Sequence, residues 1–256
     1  MRPDGLRPAL LGGGLVLGSF VVEFGTEGVP RAAKAAGVDF LLLDLEHSGW
    51  SVERLRPIVP LAEAAGLATL VRAPGSAAHL ISRPLDLGAT GIVVPMVESS
   101  EQARAAAAAA RYPPAGRRGV GVVDLAEGET LGAALERIAA RTVVAVQIET
   151  VAGLEQVEAI AAVPGVDLLL VGGVDLTVSL GIPGDIEHGR YTDALRTIAG
   201  ACARHGKVAG TMVLDPTSSP ALVELGYGCL VYGNDLLAYE RGLRAGIERI
   251  RALASR

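Results

Sequence analysis

Eight short apolar runs recur along the chain, at 15–23, 40–46, 68–73, 91–97, 142–149, 168–173, 207–213 and 229–233. Most are continuous rather than alternating. A strand with one wet face alternates apolar and polar side chains, whereas a strand covered on both faces does not. The runs therefore predict the buried strands of a parallel sheet. Between them lie helix-forming segments rich in Ala, Leu, Glu and Arg, namely 51–66, 99–111 and 130–141. Ser99 and Ser100 stand where the second of these needs an N-cap oxygen. Eight strand–helix units in 256 residues predict an α/β chain folded as a (β/α)8 TIM barrel, a single domain over 1–256. An open doubly wound sheet is the competing arrangement. It carries a Gly-rich phosphate loop after its first strand. Here the Gly triplet at 12–14 precedes the first run, so that signal is missing.

The last segment, from Asn234 onward, reads as an amphipathic helix with Leu236, Tyr239, Leu243, Ile247, Ile250 and Leu253 at its apolar positions. That pattern fits both a helix closing the barrel and one docking on a neighbour. The turn-rich stretch RYPPAGRRGVG (111–121) reads as an extended loop inside the fourth unit.

Composition excludes several classes. Half the residues are hydrophobic, which rules out disorder. A net charge of −5 argues against a nucleic-acid or anionic-membrane partner. The mean hydropathy of +0.40 raises the question of a membrane span. No apolar run approaches the ~18–20 residues a span needs. No signal peptide is expected, because the early Arg residues are not followed by a compact apolar core and a cleavage site. Cys202 and Cys229 form neither a disulfide framework nor a zinc knuckle. The expected compartment is a reducing cytoplasm.

A barrel of this kind places its chemistry at the C-terminal ends of its strands. The ionisable residues that follow the runs are Asp44, Glu46 and His47, then Arg72, Glu149 and Asp175. Glu149 and Asp175 suit a divalent cation of the Mg2+ or Mn2+ kind, with positions left open for water and substrate. One histidine does not make a zinc site. His47 is the candidate general base, Asp86 the carboxylate that orients it, and Arg72 the stabiliser of a developing oxyanion. His79, His188 and His205 are expected on the surface, and the two cysteines in packing roles. Trp50 either walls the pocket or simply packs. Arg117 and Arg118 either bind an anion or are solvated loop charges.

These residues sit in motifs that resemble the HpcH/HpaI aldolase/citrate lyase family. The motifs are FLLLDLEHSGWS (40–51), VRAPG (71–75), LDLGATGIVVPMVESSEQA (85–103), RYPPAGRRGVG (111–121), VQIET (146–150) and VDLTVSLGIPG (174–184). They occur in the family's order and near its spacing. The resemblance implies a metal-dependent class II pyruvate aldolase, cleaving a 4-hydroxy-2-oxo acid to pyruvate and an aldehyde through an enolate. It also implies a homo-oligomer, a hexamer built as a trimer of dimers, with the last helix exchanged between partners. By the same resemblance Glu149 and Asp175 hold the cation (Mg2+, Mn2+ or Co2+), His47 is the base, Asp86 raises its basicity and Arg72 stabilises the enolate. Gln147, Gly172, Gly173 and Val174 match substrate-binding positions, and Asp44 and Glu46 match carboxylates near metal-bound water. The chain departs from the family at two places. Val174 stands where many members have Ala, and the loop at 122–130 is acidic where many are aromatic and basic. The acceptor aldehyde is therefore left open. A condensing enzyme or lyase acting on a CoA thioester, a citrate-like acid or a biosynthetic intermediate is the alternative. A non-catalytic metabolite-binding barrel comes last.

Overall fold

The computed structural model of the protein describes residues 5–121 and 123–254. Residues 1–4, 122, 255 and 256, which the expected domain and the acidic loop include, lie outside the described residues. All eight apolar runs form strands: β1 (Val16–Val21), β2 (Phe40–Asp44), β3 (Ala68–Arg72), β4 (Gly91–Val94), β5 (Val143–Ile148), β6 (Leu168–Val171), β7 (Val208–Val213) and β8 (Tyr227–Asn234). They pair in sequence order, and β8 returns to β1, closing a parallel barrel.

Among the described residues twelve α-helices accompany the strands: α1 (Leu6–Leu11), α2 (Gly28–Ala36), α3 (Leu55–Ala64), α4 (Ala78–Asp86), α5 (Ser100–Ala110), α6 (Leu131–Arg141), α7 (Val151–Glu155), α8 (Val157–Ala161), α9 (Gly173–Ser179), α10 (Gly189–Arg204), α11 (Ser219–Glu224) and α12 (Asp235–Ala254). Their starts follow sequence chemistry. The Ser99 hydroxyl accepts the Gln102 N–H ahead of α5, and the Thr130 hydroxyl accepts the Ala133 N–H ahead of α6. The segment 51–66 is not one helix. A 3-10 turn (Val52–Arg54) leads into α3. None of the helices among the described residues is long and apolar enough to cross a membrane.

The continuous runs are buried as their pattern predicts. Every residue of β2, β3, β4 and β5 is buried. Each Leu, Val or Phe side chain so buried contributes about 1.5–3 kcal/mol. One apolar layer lies between the sheet and the outer helices; another, with Phe20, Phe40, Leu42, Leu70 and Val231, fills the barrel interior. Leu6 and Leu10 of α1 join that inner layer. Arg7, beside them, is held to Asp167 at 2.8 Å, and Asp167 also binds Arg111 at 2.7 Å. α12 differs from all this, since none of its residues is buried.

Candidate active site

A cavity of about 440 Å3 opens at the C-terminal ends of the strands. Asp44, His47, Arg72, Gln147 and the turn 172–175 line it. The barrel register explains their meeting, because Asp44 and Arg72 are the last residues of adjacent strands and pair directly.

Arg72 is braced on one side. Its Nε donates to Asp44 Oδ1 at 2.8 Å, and its Nη2 donates to Asp44 Oδ2 at 2.9 Å. Its Nε also lies 3.3 Å from Glu46 Oε2, and the guanidinium sits 4.8 Å from the Phe20 ring centroid. Nη1 has no protein hydrogen bond among the described residues. Asp44, 0% exposed, also accepts the backbone N–H groups of Glu46 and His47. One buried carboxylate thus positions the arginine and shapes the loop that presents His47. The His47 side chain is 65% exposed, with Nε2 3.9 Å from Glu46 Oε2.

Glu149 follows β5 and is 3% exposed. It accepts the Met96 backbone N–H and the Gln147 Nε2–H, each at 2.6 Å. Burial pushes its carboxyl up to about 7; the Met96 N–H opposes this, while the nearby Glu46 and Asp175 charges add to it. Burial also raises Glu46, against the pull of Arg72 and His47. A side chain at Gly172 would overlap Glu149 Oε2, so the backbone can approach the carboxylate only as glycine. Beyond it, Asp175 lies in the first turn of α9, and Val174 is 64% exposed in the cavity wall.

This donor set fits a hard divalent cation. A buried carboxylate that burial and two neighbouring carboxylates push towards its neutral form is one that a cation would return to charge. Gln147 Oε1 is a further oxygen, buried and without a partner. Among the described residues no group of three His, Cys, Asp or Glu is disposed around a metal. A site on Glu149 and Asp175 would thus leave several positions to water and substrate, unlike a closed zinc site.

The structure does not bring Asp86 to His47. Asp86 ends α4, and its Oδ1 accepts from Arg118 Nη2 at 2.7 Å and Nε at 3.2 Å. It lines a separate cleft with Glu53, Arg56 and Arg83. Arg118 is therefore neither solvated nor open to an anion; it is buried between Asp86 and the Tyr112 ring. Trp50 packs against the outer core and lines another cleft, away from the cavity. His79 is exposed, His188 caps α10, and His205 meets Glu158 at 2.8 Å. Sequence reasoning missed Phe20, Met96 and Asn234. Met96 is the one non-glycine residue with positive φ (54°) among the described residues. Nothing in its residue type announces that. Asn234 lines the cavity and accepts the Leu237 N–H, a cap signal that is legible ahead of α12.

The HpcH/HpaI aldolase/citrate lyase family model matches residues 26–238. The chain belongs to that family. Members similar to it include a hydroxypyruvate/pyruvate aldolase of Paraburkholderia phytofirmans, 35% identical, with 90% of this chain and 92% of that one covered. A 4-hydroxy-2-oxovalerate aldolase of Novosphingobium aromaticivorans is 33% identical over 97% of this chain and 95% of its own. Among solved structures, an HpcH/HpaI aldolase from Desulfitobacterium hafniense superposes with a TM-score of 0.88 at 30% identity, covering 96% of each chain. The family's barrel and its lyase chemistry are thus those of this chain.

Proposed function

We propose that this family member catalyses the reversible aldol cleavage of a 4-hydroxy-2-oxo acid to pyruvate, or a pyruvate-like 2-oxo acid, and an aldehyde. The observation that carries the reading is Arg72, a cavity-lining side chain braced through Nε and Nη2 by Asp44 and through Nε by Glu46. A donor fixed in advance and aimed at a developing oxyanion is what enolate chemistry requires. The names of the relatives support the same reading.

In the cleavage direction His47 takes the proton of the 4-hydroxyl as the C3–C4 bond breaks. The aldehyde leaves, and the bond's electron pair becomes the enolate of the keto acid, whose oxygen Arg72 stabilises. Glu149 and Asp175 would hold a divalent cation, Mg2+, Mn2+ or Co2+, which when bound supplies Lewis-acid polarisation of the keto acid. Gln147 and the bare backbone of Gly172 and Gly173 leave room for the acid's small end, and Val174 narrows the side facing the aldehyde. Asp44 and Glu46 serve first as the brace of Arg72. Asp86 enters the mechanism only in an assembly that brings it to His47, since within one chain it is paired with Arg118. We also infer a homo-oligomer, a hexamer as a trimer of dimers. The row of exposed apolar side chains on α12, from Leu236 to Leu253, supports it.

Hydrogen–deuterium exchange at the pyruvate methyl group tests the enolate step without a choice of aldehyde. Exchange should require the divalent cation and be lost in Glu149→Gln and Arg72→Ala. Exchange that is equal in these variants and in wild type would overturn the reading.

A further inference from the structure

The turn that carries Asp175 is gripped from two sides. On one side, a side chain at Gly172 would overlap the Glu149 carboxylate. On the other, a Cβ at Gly173 would stand 2.6 Å from Tyr191 Oη. The site itself explains the first contact. The second comes from α10, a helix that contributes nothing to the cavity lining. Tyr191 is 7% exposed and belongs to the outer core. Its hydroxyl lies close to Thr211 of β7, itself 2% exposed. Thr211 is in register with Val171, the last residue of β6 before the turn. The Tyr191 ring is therefore held by packing in the outer core, and a methyl group at Gly173 would press against its hydroxyl end.

We propose that Tyr191 is a positioning residue for the cation site: its hydroxyl, wedged under Gly173, sets the height of the turn 172–175 and so the place of Asp175 and Val174 relative to Glu149. Gly173 and Tyr191 then form one unit, the absent side chain of one making room for the hydroxyl of the other. The proposal rests on the reading that Glu149 and Asp175 hold the cation.

The test is a double-mutant cycle read by Mn2+ titration, with electron paramagnetic resonance counting free Mn2+ and thermal melts checking the fold. Gly173→Ala should weaken Mn2+ binding about tenfold, the scale of coupling between touching residues. Adding Tyr191→Phe removes the oxygen that the new methyl would strike. The double variant should then recover to within about threefold of Tyr191→Phe alone. Tyr191→Phe by itself should raise the pyruvate KM while leaving kcat nearly unchanged, and this readout stands even if Gly173→Ala does not fold. Wild-type Mn2+ affinity in Gly173→Ala, no recovery in the double variant, or an unmoved KM in Tyr191→Phe would each overturn the proposal. Asp175→Asn separates it from the reading beneath. If that variant binds Mn2+ as wild type does, the cation assignment falls and takes the wedge with it. If it weakens Mn2+ while the cycle shows no coupling, only the wedge falls.

Discussion

Met96 donates its backbone N–H to Glu149 at 2.6 Å from a left-handed φ of 54°. The conformation costs about 1–3 kcal/mol, and it delivers one of the two donors that reach this buried carboxylate among the described residues. They do not outweigh burial, which holds the carboxyl near 7 against an ordinary 4.5. Folded protein without a cation therefore keeps a proton that the unfolded chain gives up. The stabilising effect of that proton is complete below about pH 4.5 and is lost as pH rises through about 7. The gap corresponds to about 3 kcal/mol. Denaturant melts in chelator at about pH 5 and about pH 8 should show the loss in wild type and a smaller one in Glu149→Gln. Proton and cation compete for the same oxygens, so Mn2+ affinity should rise by up to about tenfold per pH unit below 7.

Arg72→Ala should cost both stability and rate. It leaves Asp44 charged, buried and without its partner, a loss of about 3–5 kcal/mol in denaturant melts. Removing the fixed donor at the oxyanion should lower kcat by about 10²–10³-fold. Arg72→Lys keeps the charge but not the two-point grip, so its kcat should fall between the two.

Asp235 opens α12, and its carboxylate accepts the successive N–H groups of Val22, Glu23 and Phe24. Phe24 in turn meets the Tyr239 ring edge-on, with centroids 5.6 Å apart. The loop after β1 is thereby tied to the last helix at the mouth of the cavity. Asp235→Ala should destabilise the fold by about 1–3 kcal/mol through the unpaired donors. It should also raise the aldehyde KM in the condensation direction while pyruvate methyl exchange continues at close to the wild-type rate. An unchanged aldehyde KM would show that the tie has no influence on the cavity.

The apolar row on α12 predicts assembly. Ile247→Glu places a charge in the middle of it, and light scattering after gel filtration should then report a smaller particle than wild type. A charge buried at such an interface costs several kcal/mol. A particle of unchanged mass would place the subunit contacts elsewhere.

The barrel was legible because its strands are covered on both faces. FLLLD at β2 and VVAVQI at β5 are buried at every position, so continuous apolarity is the whole signal. Asp44, Arg72 and Glu149 followed, since the residue at a strand's end in this fold faces the mouth. Partners were less legible than places. Asp86 ends a helix, and its partner Arg118 lies 32 residues away in a loop with no period to read. The φ of Met96 and the hydroxyl of Tyr191 under Gly173 are products of packing, which no local pattern encodes. Asn234 and Asp235 did carry a cap signature, yet Asp235 spends its carboxylate across the barrel seam, on residues 22–24.

That seam has a consequence for the chain as it is made. The bond from Val22 to Asp235 spans 213 positions, so β1 waits for its second neighbour until the chain through β8 has left the ribosome. Until then the sheet is an open crescent with two unpaired edges, the state most inclined to pair with another chain. Arg72 can find Asp44 early, across 28 residues. Phe20, over which Arg72 sits, keeps one side of its strand bare until β8 arrives. The pocket is thus finished last, at the moment the ring closes.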